Sequence, residues 1–173
     1  AVGGGNDLRK GFDLLLNALN KLQSSYSNKN LHVAVFGQTK QTSKLNLSFP
    51  IYYLGSLNDN DLCKAYSAAD VMVVPSRQDN LPNIVLEAQA CSLPIVSFNI
   101  GGIPDIIEHK KSGYLAEPFN TLDLSDGISW VLEKSELLEL GNHGLKKVME
   151  NFSKQNVAEK YKSIYKKILL KKK

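Results

Sequence analysis

The run Val71-Met72-Val73-Val74, closed by Pro75 and Ser76, most constrains what this chain can fold into. Four apolar residues without polar alternation suit a strand covered on both faces, the usual condition in a parallel sheet. Similar short runs recur, and the pattern predicts strands over residues 31–36, 51–54, 71–74, 95–98 and 113–115. Helical spacing fills the intervals at 12–22, 59–69, 83–91, 103–108 and 122–132, and the remaining carboxy-terminal stretch reads as helix throughout. Asp59 is expected to cap its helix, and Pro82 to open the next one from its first position. Strand and helix in alternation imply an α/β fold: a Rossmann-like parallel sheet with helices on both faces. Ligands of such sheets bind beyond the carboxyl ends of the strands.

A length of 173 residues fits one domain, and 43% hydrophobic against 22% charged residues excludes wholesale disorder. The net charge of +4 is unevenly placed. Residues 154–173 hold eight lysines and one glutamate, while the rest of the chain is mildly acidic at a net −3. Basicity confined to a tail argues against a nucleic-acid partner, which needs a positive folded face. No apolar run approaches the roughly 18 residues of a spanning helix, and no signal-peptide pattern is seen. Cys63 and Cys91 lack metal-ligand spacing and are expected to be small core residues in a reduced, cytoplasmic compartment. The opening Ala1-Val2-Gly3-Gly4-Gly5, without Met, reads as the end of a strand in a piece of a longer protein.

Three loops fall on the carboxyl edge. The first runs from Gly3-Gly4-Gly5 through Asp7 to Arg9-Lys10-Gly11. Its glycines let backbone approach a phosphate, and Lys10 adds a charge. It is neither a Walker loop nor a dinucleotide fingerprint, and on spacing alone a turn with two solvated cations explains it better. The second runs from Ser76 through Asp79-Asn80-Leu81-Pro82-Asn83 to Glu87. A carboxylate accepts both hydrogen bonds of a vicinal diol such as a ribose, and the N–H groups around Leu81 and Asn83 suit a diphosphate or sugar oxygen. The plainer alternative is a solvated Asp79 and an exposed Glu87. The third, Asn99-Ile100-Gly101-Gly102-Ile103-Pro104-Asp105, is adequately read as a tight turn opening a helix.

The segments Ala69 to Ser76, Asp79-Asn80-Leu81-Pro82-Asn83 and Leu86-Glu87-Ala88-Gln89-Ala90-Cys91 closely resemble the carboxy-terminal half of GT-B glycosyltransferases of the group 1, or GT4, family. Pro94-Ile95-Val96, Gly101 to Ile107, Gly113-Tyr114-Leu115 and Arg9 to Leu15 extend the resemblance over essentially the whole chain. It implies a nucleotide-sugar-binding domain over 1–173 with a basic terminal helix at 153–173. Asp79 and the backbone of Asn80, Leu81, Pro82 and Asn83 would hold the donor sugar, and Glu87 the ribose. Lys10 would neutralise the diphosphate. Gly4 stands where the family has an arginine, with Arg9 the nearest substitute, and Asp79 stands where the family has glutamate. The resemblance further implies metal-free, retaining transfer from a nucleotide diphosphate sugar to a glycan or lipid-linked acceptor in bacterial surface polysaccharide synthesis. The acceptor would be held by an amino-terminal domain outside this chain, so these residues alone would bind donor weakly and turn over little. Two alternatives stay open: a nucleotide-sugar epimerase of the same architecture, and a non-catalytic module that binds nucleotide sugar or docks on an anionic membrane through the basic tail.

Overall fold

The computed structural model describes residues 7–26, 31–37, 47 and 49–170. A single 3-10 turn, Leu8–Lys10, leads into α1 (Phe12–Tyr26), β1 (Val33–Phe36), β2 (Ile51–Gly55) and α2 (Asp59–Ala68). There follow β3 (Met72–Val74), α3 (Asn83–Ala90), β4 (Ile95–Phe98), α4 (Ile103–Ile106) and β5 (Gly113–Ala116). Three helices end the chain: α5 (Thr121–Leu132), α6 (Leu137–Phe152) and α7 (Lys154–Leu170). Among the described residues every strand pair is parallel, as the apolar runs require. Among the described residues, however, the strands form two sheets rather than one: β1 beside β2, and β3-β4-β5.

The two faces of the larger sheet explain its composition. Val73, Val96 and Phe98 pack with Leu15, Leu19, Leu124 and Ile128 of α1 and α5. Met72, Val74 and Ile95 pack on the other side with Val85, Ala88, Ile103 and Ile106 of α3 and α4. Successive strand residues point to opposite faces, so a strand covered twice has no position left for a polar side chain. Ser97 is the exception, and its Oγ donates to the Val74 carbonyl at 2.8 Å. Fully burying each Val, Leu or Ile is worth about 1.5–3 kcal/mol, which makes this layer the main source of stability.

Several expected boundaries are corrected. Asn58, not Asp59, caps α2: its Oδ1 accepts from the Asp61 N–H at 3.0 Å. Asp59 lies in the first turn instead, where an acid still favours the helix dipole. Pro82 stands just outside α3 with ψ 119°, so Asn83 is the first helical residue. The helix after Gly102 stops at Ile106 rather than at 108, because the backbone turns extended at Ile107 and the Glu108 N–H goes to Ser112 Oγ at 3.0 Å. Cys63 is exposed and is no core residue, while the half-buried Cys91 packs against the core beside α3 and α4. Burial, and after it the neighbouring Cys63, pushes the Cys91 thiol up.

Acid should weaken this fold in a defined window. Lys111 and then His143, whose Nε2 lies 3.0 Å from the Glu108 carboxylate, hold the Glu108 pKa down to about 2. Arg77 lowers Asp13 and Arg9 lowers Asp7 in the same sense. A depressed carboxylate contributes stability that is present above its unfolded pKa and lost as pH falls toward its folded one. The thermal midpoint is therefore expected to decline as pH drops from about 4.5 toward 2. Glu108→Gln should flatten that decline. An identical profile for the variant would show that Glu108 contributes nothing to it.

Candidate functional site

The site is assembled at the carboxyl ends of the strands, beginning with the 3-10 turn. Asp7 Oδ1 accepts from the Arg9 N–H at 3.0 Å, and Gly11 closes the turn with φ 64°. A Cβ at Gly11 would stand 1.9 Å from the Pro75 carbonyl oxygen, so only glycine lets the turn lie against the end of β3. The contact is then locked from the other side. The Arg77 N–H donates to the Arg9 carbonyl at 2.7 Å, and the Arg77 guanidinium donates to the Leu8 carbonyl at 2.9 Å. The same guanidinium forms a forked pair with Asp13 of α1 at 2.7 and 2.5 Å.

This clamp brings the two foremost candidates together. Lys10 Nζ donates to Asp79 Oδ2 at 3.2 Å, with the Lys10 side chain 33% and the Asp79 side chain 16% exposed. A solvated Asp79 is thereby ruled out. Arg9 does not join the pair through its hydrogen bonds, because Asp7 holds its guanidinium at 3.0 and 2.8 Å. Gly4 lies outside the described residues.

The loop behind Asp79 rests on the third loop. The Gly102 N–H donates to the Asn80 carbonyl at 2.6 Å, and Gly101 passes so close to the Asp79 carbonyl that a Cβ there would stand 1.9 Å away. The third loop is thus more than a turn; it supports the second. Leu81 and Asn83 are exposed beside the buried Pro82. Pro82 offers no capping side chain, which leaves the opening N–H groups of α3 to an incoming anion. Glu87, on the second turn of α3, is exposed, and its Oε2 accepts from the Tyr66 hydroxyl at 3.3 Å. Burial and then the Glu87 carboxylate push the Tyr66 phenol far up, so it stays a donor at any ordinary pH.

Sequence reasoning missed Arg77, Asp13 and Tyr66. No local pattern pairs positions 13 and 77, and Tyr66 reads as one more apolar residue of α2. The sequence does contain one Asp-x-Asp run, Asp59-Asn60-Asp61, but it opens α2, where Asn58 and Lys64 engage Asp61. Among the described residues no three His, Cys, Asp or Glu side chains converge as a metal site would require.

A loop-edge cleft in a parallel α/β domain belongs to many families, and the sequence decides between them. The profile of the glycosyl transferases group 1 matches residues 5–162. The chain belongs to that family. An uncharacterized glycosyltransferase of Haemophilus influenzae is 30% identical over 160 residues, which cover 90% of this chain and 45% of that protein. Among solved folds, a glycosyltransferase from Rickettsia africae superposes with a TM-score of 0.80 at 23% identity, over 97% of this chain and 47% of that one. Anabaena HepE, solved with UDP-glucose, gives 0.76 at 19% identity, over 94% and 48%. This group 1 chain thus spans just under half the length of the relatives it matches.

Proposed function

We propose that this chain is the donor-binding half of a retaining hexosyltransferase that uses a nucleotide diphosphate sugar. The observation that carries the reading is the Lys10–Asp79 pair at the carboxyl edge of β3, beside the uncapped start of α3. In the transfer the bond from the sugar's anomeric carbon to the diphosphate breaks. A bond from an acceptor hydroxyl oxygen forms at that carbon, and the hydroxyl proton passes to the departing diphosphate oxygen. Lys10 and the α3 N-terminus oppose the charge that gathers on the departing diphosphate. Asp79, with the backbone of Asn80 to Asn83, orients the sugar, and Glu87 accepts from the ribose hydroxyls. The UDP-glucose complex of Anabaena HepE supports a donor of this class. The acceptor, a glycan or lipid-linked sugar of a bacterial surface polysaccharide, would be held outside these residues.

Titration calorimetry with nucleoside diphosphates tests the ribose assignment. Glu87→Ala should weaken binding by about 1.5–3 kcal/mol, the scale of hydrogen bonds to a charged group. Tyr66→Phe, which removes only the hydroxyl that now occupies Glu87, should change affinity far less. Equal affinity for Glu87→Ala and the parent would sink the assignment. The reading places no metal in the site, so binding should persist in EDTA. Binding lost on chelation and restored by Mg²⁺ would overturn that part.

The basic helix supports a peripheral contact. In α7, Tyr161, Ile164, Tyr165 and Ile168 are at least half exposed among lysines, and no described helix is long and apolar enough to cross a membrane. Such a surface is expected to sediment with anionic but not with neutral vesicles, and to be released by salt. Equal recovery with both vesicle types would dismiss it.

A further inference from the structure

Cys63 and Cys91 are not among the residues assigned to the donor, yet two helices bring them together. Cys63 lies on α2 with Tyr66 three residues on, so the two share a face of that helix. Cys91 ends α3, where its N–H donates to the Glu87 carbonyl at 3.2 Å, so Glu87 and Cys91 stand one turn apart on a shared face. The Tyr66 hydroxyl donates to Glu87 Oε2 at 3.3 Å and joins the two faces. Tyr66 is α2's one buried residue, and it sits in the apolar cluster against which Cys91 packs.

The thiols meet at this seam. Cys63 and Cys91 are hydrogen-bond partners, and the Tyr66 phenol feels both of them as well as Glu87. Their surroundings differ. Cys63 is exposed, so a small molecule in solution reaches its sulfur, whereas Cys91 is half-buried and burial pushes its thiol up. The thiolate is the nucleophile, and an accessible thiol with a sheltered one beside it is the arrangement of an attacking and a resolving cysteine. A metal ion is a poorer occupant, because no three Cys, His, Asp or Glu side chains converge among the described residues.

We propose that Cys63 and Cys91 form a reversible thiol pair, oxidised by a low-molecular-weight disulfide to a covalent tie between α2 and α3. The Cys63 thiolate attacks one sulfur of the small disulfide and expels a small thiolate, leaving a mixed disulfide on Cys63. The Cys91 thiolate then attacks Cys63 Sγ and expels the second small thiolate. The bond between the small molecule's sulfurs is broken and the Cys63–Cys91 bond is made. The two cysteines are oxidised, the small disulfide is reduced, and the two thiol protons pass to the two small thiolates. Access to Cys63 lets the same steps run backwards, which makes this bond one of the labile kind. It would fasten α2 at a second point, beside the Tyr66 contact with Glu87.

The test uses the full-length protein, reduced and then held in glutathione disulfide, with remaining thiols blocked before digestion with trypsin. Cleavage after Lys44, Lys64, Arg77 and Lys110 puts the two cysteines in separate peptides, 45–64 and 78–110. In the oxidised sample these should travel as one species, lighter by two hydrogens than their sum, and excess reduced glutathione should part them again. Cys91→Ser should stop at a single glutathione on Cys63, and Cys63→Ser should leave Cys91 unmodified over the same interval. Amides from Cys63 to Tyr66 should exchange about 10-fold more slowly in the linked protein than in the reduced one, since a helix tied at a second point opens less often. Peptides recovered apart, or a glutathione retained on Cys63 of the parent with Cys91 still free, would overturn the proposal. A covalent dimer through Cys63 would overturn it too, as would α2 exchange that is the same in both forms.

Discussion

Lys10→Ala is expected to raise the dissociation constant of a nucleoside diphosphate by about 10- to 100-fold, the equivalent of about 1.5–3 kcal/mol from charge-assisted hydrogen bonds. The loss should be smaller for the monophosphate, so the gap between the two ligands narrows. Asp79→Asn should move in the opposite direction for the bare diphosphate. In the parent, Asp79 occupies the Lys10 ammonium at 3.2 Å, and a phosphate must share or displace that contact. Removing the carboxylate's charge frees the cation, so nucleoside diphosphate should bind tighter while the intact sugar donor loses an orienting group and is transferred slowly by the full-length enzyme. Both ligands weakening in parallel for Asp79→Asn would mean that the pair supports the loop rather than the ligand. Calorimetry over a salt series separates the two accounts further, since a partly exposed cation is screened as ionic strength rises.

Gly101→Ala is expected to be the most damaging small change near the site. Gly101 has φ 52°, and the left-handed region costs an ordinary residue about 1–2 kcal/mol. The added Cβ would also stand 1.9 Å from the Asp79 carbonyl oxygen, so the loop carrying Asp79 has to shift. We expect at least about 3 kcal/mol of lost stability in all, a midpoint lower by roughly 6–12 °C in a chain of this size. Donor affinity should fall even where the variant is fully folded. Gly55→Ala is the control: its φ is 68°, but a Cβ there meets nothing within 4 Å. It should show the backbone cost alone and leave donor binding unchanged. Equal behaviour of the two variants would show that the third loop does not support the second.

The sequence made the layering legible because burial on both faces leaves a plain mark. Val71 to Val74 and Ile95 to Phe98 have no room for alternation, and β3 and β4 are both buried on their two faces. Exposed ends are written less plainly. Asn58 and Asp59 are both good caps, and only the backbone turn at Asn58 decides between them. Pro82 fits either side of a helix start, since its fixed φ suits both. Cys63 misled because cysteine is buried by habit rather than by necessity. In the site, Lys10 and Asp79 were legible as separate residues. Their contact was not, because it spans 69 positions and depends on the close approach of Gly11 to Pro75. Arg9 looked like a second phosphate cation, but Asp7, two residues away, competes for it at short range.

The forked contact between Arg77 and Asp13 also bears on how this site can change over generations. The two residues are separated by 64 positions, and Arg77 also holds the turn that aims Lys10 through the Leu8 carbonyl, whereas Asp13, with its side chain 53% exposed, only orients the guanidinium. Drift at position 13 should therefore be borne more easily than drift at position 77, and descendants that keep the lysine should keep the arginine before they keep its acid.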